Sequence, residues 1–133
     1  MSHFVVYHKK EKMGYPAIDV DDLGIYTKKP KEFVEGSINE KVWLIAGEGK
    51  PRRYFLRACF DINAYADSDR PDFEYKVTGK NGQLLSPMPE IGAEKWFDEL
   101  IKSQGNFAFG FNRINRENVV KGLKDVLAGH LAK

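Results

Sequence analysis

The chain has 133 residues, 42% of them hydrophobic and 30% charged, with a formal net charge of +2, which excludes a disordered or fibrous protein and leaves an ordinary globular one. Its length suits one domain spanning residues 1–133, and its longest apolar runs are too short for a transmembrane helix. The first residues lack a secretion-signal pattern and the single cysteine, Cys59, can form no internal disulfide, so a cytoplasmic protein with no membrane partner is expected.

Residues 4–8 read as a first strand, with Val5 and Tyr7 on one face and Phe4, Val6 and His8 on the other. Gly14, Pro16 and the acidic turn of Asp19, Asp21 and Asp22 end it. Residues 14–40 are rich in turn signals, with a strand pattern at 23–27 and helical character at 30–35. Residues 41–46 form a second strand, apolar on both faces and therefore expected to be buried. The breakers Gly47, Gly49 and Pro51 predict a turn after it.

Residues 53–62 show the cleanest alternation. Tyr54, Leu56, Ala58, Phe60 and Ile62 face one way, and Arg53, Phe55, Arg57, Cys59 and Asp61 the other, as in an antiparallel sheet or barrel wall. Phe73, Tyr75 and Val77 then alternate with Glu74, Lys76 and Thr78. Gly79-Lys80-Asn81-Gly82 predicts a hairpin turn, with Gln83-Leu84-Leu85 as the return arm. Pro87 and Pro89 end the sheet.

Residues 94–104 predict a helix with Trp96, Phe97, Leu100 and Ile101 on its apolar face and Gly105 at its C-terminal cap. In the strand pattern that follows, Phe107, Phe109 and Phe111 share one face. Ala108 and Gly110 leave the other face almost bare, open to a packed helix or a flat ligand. Asn115 is placed to cap a last helix, with Ile114 and Val119 as a hydrophobic staple across the cap. Together these elements predict an α+β fold: a small, strongly bent sheet or barrel of about five to seven strands, with two helices in the C-terminal half.

Little of this carries catalytic chemistry. His3, His8 and His130 have no partners at metal-ligand spacing, and no nucleophile-base arrangement is recognisable, so no catalytic residue, metal or cofactor is expected. Cys59 reads as an inert small residue. Gly47-Glu48-Gly49-Lys50 lacks the spacing and the following helix of a phosphate loop. Asp67, Asp69 and Asp72 read as turn formers and not as a calcium loop. What remains is a stacking and electrostatic inventory. Trp43, Phe55 and Trp96 are large planar groups, and Tyr7, Tyr15 and Tyr26 lie near basic residues. Cations cluster at Lys9, Lys10 and Lys12, at Lys28, Lys29 and Lys31, and at Lys50, Arg52, Arg53 and Arg57. Aromatics can stack bases and cations can hold phosphates, or the same rings can simply fill the core.

The order of elements resembles the EVE domain family of the PUA-like superfamily, which also holds the YTH and ASCH domains. The resemblance is carried by a proline-bearing loop at 64–73, by Leu84-Leu85-Ser86-Pro87-Met88-Pro89, and by the Phe-x-x-Gly-Phe-x-x-Ile pattern of residues 107–114 before a terminal helix. It implies a small, mostly antiparallel PUA-like pseudo-β-barrel that binds DNA or RNA and holds a modified or flipped base in an aromatic pocket. It implies Tyr7, His8 and Lys9 as pocket residues, with Trp43, Ala108 and Gly110 beside them, and Arg52, Arg53 and Arg57 as phosphate contacts. Two other readings stand beside it. One is a non-catalytic domain with a protein partner. The other is a small ASCH-like hydrolase using Lys9, Glu11 and Asp61.

Overall fold

The computed structural model describes residues 1–108 and 110–132. Six strands form one curled, mixed sheet resembling half a barrel: β1 (His3–Lys9), β2 (Gly24–Thr27), β3 (Lys41–Glu48), β4 (Arg53–Asp67), β5 (Tyr75–Leu84) and β6 (Asn112–Arg113). Their order across the sheet is β2-β5-β4-β3-β1-β6. β1 runs parallel to β3, from His3 opposite Lys41 to Lys9 opposite Gly47. The pairs β1–β6, β2–β5, β3–β4 and β4–β5 are antiparallel. Among the described residues four helices accompany the sheet: α1 (Lys10–Met13), α2 (Lys31–Gly36), α3 (Phe97–Ser103) and α4 (Glu117–Leu131).

The period of two in β1 and β3 divides the core into two clusters, because adjacent side chains leave a strand on opposite faces. Phe4, Val6, Val42 and Leu44 point into the concave side, where Val34 of α2, Ile25, Phe60 and Phe111 meet them. Val5, Trp43 and Ile45 point to the outer side, which is covered by Phe97 and Leu100 of α3 and Val119 and Leu123 of α4. The two faces assigned to the first strand, the buried second strand and the helical character near residue 30 all stand in this architecture.

The clean alternation expected across 53–62 breaks at Arg57. Leu44 pairs with Ala58 and Ile45 with Leu56, so Arg57 is an extra residue in a β-bulge. The bulge reverses the facing of what precedes it. Leu56 lies in the outer cluster, whereas Ala58, Phe60 and Ile62 lie in the concave one.

The expected hairpin at residues 79–82 is not present. β5 runs straight through those residues, and the chain reverses earlier, between Asp67 and Tyr75. The glycines serve close packing instead: a Cβ on Gly79 would overlap the Phe60 ring and the Asp61 carbonyl oxygen of β4.

The phenylalanine strand is also corrected. Among the described residues of that segment, only Asn112 and Arg113 pair with β1. Gly105, Asn106, Phe107 and Gly110 all have positive φ, so the chain after α3 coils instead of extending. Phe107 therefore packs in the outer cluster and Phe111 in the concave one, and they do not share a face. The third member of that pattern, Phe109, lies outside the described residues. At the last helix the N-cap is Arg116, not Asn115, and no side chain caps it.

Candidate functional site

A cavity of about 900 Å³ opens at the C-terminal end of β1. It is built where β1, β2, the turn before β4 and the coil after α3 converge. Val6, Leu44, Ile25 and Phe111 bring the concave core to it, and Tyr7, Tyr54 and Phe107 form a rim of rings. The Tyr7 and Phe107 rings lie nearly parallel with centroids 4.6 Å apart, and Tyr54 lies 6.0 Å from Phe107. Stacked and tilted aromatic pairs at such separations favour one another beyond the area they bury.

Tyr7 pairs with Ile45 on β3, and its phenol lies over Gly47 two residues on, whose missing side chain leaves room for it. Gly47→Ala would put a Cβ on the Tyr7 ring, but a terminal ring can swing aside where backbone cannot. The expected result is a loss of stability below about 1 kcal/mol with Tyr7 turned out of its stack on Phe107. Near-ultraviolet circular dichroism beside a denaturation curve checks this; an unchanged aromatic spectrum would count against it.

His8 lies at the same end of β1 and is 4% exposed. Its Nε2 is 2.8 Å from the Tyr15 carbonyl oxygen. A carbonyl only accepts, so Nε2 carries the proton and Nδ1 keeps a lone pair. Burial holds the imidazole pKa below its ordinary value, against the opposing pull of that carbonyl and of Glu48.

A second ring cluster borders the cavity. Tyr26 and Phe73 sit 5.6 Å apart, and Tyr26 donates to Asp69 at 2.8 Å. The Arg70 guanidinium lies 5.6 Å from the Tyr26 ring and 5.4 Å from the Phe73 ring, with the Lys76 ammonium 5.2 Å from Tyr26. Six cations line the cavity, Lys9, Lys12, Lys28, Lys29, Arg52 and Lys76, against three acids, Asp19, Asp21 and Asp22. Lys76 pairs with Asp22 at 2.7 Å and Arg52 with Glu11 at 3.4 Å. Among the described residues the other four lysines have no ion-pair partner, so the cavity is electropositive.

The structure brings together Tyr7, His8, Lys9, Arg52, Ala108 and Gly110, all of which line this cavity. Trp43 is elsewhere: it is 1% exposed in the outer core, and its indole N–H donates to His3 Nδ1 at 3.0 Å. Arg53 is on the surface in a two-point pair with Glu90, at 2.7 and 3.0 Å. Arg57 is 5% exposed and turned inward. It donates to the carbonyl oxygens of Leu85 at 2.8 Å, Ile18 at 3.1 Å and Val20 at 2.6 Å, so its charge holds protein backbone and is not presented to solvent. Two of those carbonyls belong to the loop that carries Asp19 and Val20 to the cavity wall, which makes Arg57 a support of the site from behind.

Tyr54, Phe73 and Lys76 were not singled out in the sequence as pocket residues. They come from separate strands and loops, and only β-pairing puts them in one place. Burial pushes the Cys59 thiol up to about 11, which removes it as a nucleophile near neutral pH. Among the described residues, no three His, Cys, Asp or Glu side chains gather as a metal site, and no helix is long and apolar enough to cross a membrane.

No protein-family model matches this chain, and no curated protein or solved structure matches it.

Proposed function

We propose that this chain is a nucleic-acid-binding module of the PUA-like, EVE-like kind, which takes a modified or flipped base of DNA or RNA into the cavity at the end of β1. The observation that carries the reading is the meeting of two aromatic clusters and six cations around one cavity. A base drawn out of its stack loses a few kcal/mol, and stacking on a protein ring returns about 1–3 kcal/mol per base. The Tyr7, Tyr54 and Phe107 rings would supply that stacking. His8 Nδ1 would accept from a ring or exocyclic N–H on the base edge. Lys9, Lys12, Lys28 and Arg52 would meet the flanking phosphates. The proposed setting is the cytoplasm, where a free thiol such as Cys59 stays reduced.

The test is fluorescence anisotropy with short labelled oligonucleotides, plain and base-modified, as DNA and as RNA. Affinity should fall with added salt, with a log–log slope of a few units. Charge reversal at Lys9 and Arg52 should flatten that slope by about one unit each, and Tyr7→Ala should weaken binding without changing it. Absence of binding to every oligonucleotide at low salt would end the proposal.

A further inference from the structure

The half-barrel stops short of closing, and the cavity lies in the gap. β2 ends the sheet on one side and β6 on the other. Among the described residues β6 covers β1 at Phe4 and Val5 alone. A continued antiparallel register would set Gly110 opposite Tyr7, two residues further along each strand. The chain turns away there: Gly110 has a φ of +66°, and its N–H donates to the Phe107 carbonyl oxygen at 3.4 Å. Beyond Val5, β1 is therefore a second free edge, and Tyr7 and Lys9 line the same cavity as Gly24 and Tyr26 of β2.

The bonds already made decide which backbone groups point into the gap. In a strand the N–H and C=O of one residue point to one side, and those of the next residue to the other. Ser2 accepts from Lys41 on the β3 side at 3.1 Å, and His3 accepts from Ile114 on the β6 side at 2.8 Å. β1 pairs with β3 in unbroken register, so Val5, Tyr7 and Lys9 follow His3. Asn112 meets Val5, and the first turn of α1 takes the Lys9 carbonyl. The Tyr7 N–H, the Tyr7 C=O and the Lys9 N–H remain. On β2, Leu23 and Thr27 accept from Gly79 and Glu74 at 2.8 and 3.0 Å on the β5 side. By the same alternation, Gly24 and Tyr26 point to the gap. Among the described residues none of these remaining groups has a protein hydrogen-bond partner. A backbone group facing a cleft takes its partner from whatever fills the cleft.

On the base-binding reading above, on which this rests, we propose that Tyr7 reads the base through its backbone. The Tyr7 N–H donates to the Watson–Crick edge of the base, and the Tyr7 C=O accepts from it. One strand residue offers a donor beside an acceptor, and the Watson–Crick edge of every base offers an acceptor beside a donor. His8 Nδ1, on the next residue, takes a second N–H where the base has one. The class of base follows. A modification accepted by this site lies away from the Watson–Crick edge. N-methylation on that edge removes the donor and sets a methyl group against the Tyr7 carbonyl. The N–H groups of Gly24 and Tyr26, on the facing strand, are left for sugar and phosphate oxygens.

A short strand that is abasic except at one position tests this by anisotropy and by amide NMR of the full chain. The single base is uracil, guanine or its neutral N-methyl form, 3-methyluracil or 1-methylguanine. Uracil and guanine should move the Tyr7 amide downfield, and each methylated partner should bind at least about tenfold more weakly. The fully abasic strand should shift the Gly24 and Tyr26 amides and leave that of Tyr7 in place. Equal affinity for a base and its methylated partner, or a Tyr7 amide that uracil and guanine do not move, would overturn the backbone readout and leave the base-binding reading standing. The same holds if adenine or cytosine alone binds more tightly than the abasic strand. If none of the four bases does, the base-binding reading falls and the backbone readout with it.

Discussion

Arg57→Met is expected to lower the stability of the fold by about 3–5 kcal/mol, although Arg57 reads in the sequence as one more surface cation. The guanidinium joins three segments that are far apart in the chain: the bulge of β4, the carbonyl of Leu85 after β5, and the carbonyls of Ile18 and Val20 in the cavity wall. Methionine fills similar space and donates nothing, so three carbonyls lose their partner in a site that water does not enter freely. Burial holds the pKa of Arg57 below its ordinary value, with Asp19 opposing, yet a guanidinium stays charged at neutral pH. Urea unfolding should show a lower midpoint with an unchanged slope. Oligonucleotide affinity should fall as well, because the loop carrying Asp19 and Val20 is no longer tied down. Arg57→Lys should recover only part of the loss, since one ammonium cannot span the three acceptors. A midpoint shift worth less than about 1 kcal/mol for the methionine variant would remove Arg57 from this role.

Gly79→Val is the second large effect, with an expected loss of about 3 kcal/mol or a failure to fold. The contrast with Gly47→Ala decides the magnitude. At Gly47 the obstacle is the end of the Tyr7 ring, which can move. At Gly79 the added Cβ would overlap the Phe60 ring and also the Asp61 carbonyl oxygen, and a backbone atom within a paired strand has nowhere to go. Trimming Phe60 to alanine in the Gly79→Val background should therefore fail to restore the midpoint, because the Asp61 oxygen remains. Restoration by that second change would show the ring to be the whole obstacle. Thermal unfolding of the single and double variants separates the two outcomes.

Positions where local chemistry decides were legible in the sequence. The period of two in residues 4–8 put Phe4 and Val6 on one face and Val5 on the other, and in β1 those two faces enter different core clusters. The apolar run at 41–46 predicted a buried strand, and β3 is buried along that run except at its first residue. The last helix predicted after Asn115 is α4. Tyr7, His8 and Lys9, expected from the resemblance as pocket residues, and Arg52, expected as a phosphate contact, line one cavity, whereas Trp43, Arg53 and Arg57 lie away from it.

What failed to read correctly depends on partners far along the chain. Gly79, Asn81 and Gly82 carry the local signature of a turn, but the glycines exist to admit Phe60 from the adjoining strand, so tertiary packing overrides local turn chemistry. Arg57 sits in an alternating pattern that promises solvent, but the bulge opposite Leu44 and Ile45 turns it inward. Phe107 and Phe111 have strand spacing, yet the positive φ values that follow α3 send them to different cores.

The sequence by itself thus determined the α+β class, the buried strands and the position of the last helix, because hydrophobic periodicity is a property of neighbours along the chain. Only the tertiary structure decided which cations face the cavity and which hold the fold. That choice depends on strand register and bulges, and one added residue in β4 is enough to move a guanidinium from solvent to the interior.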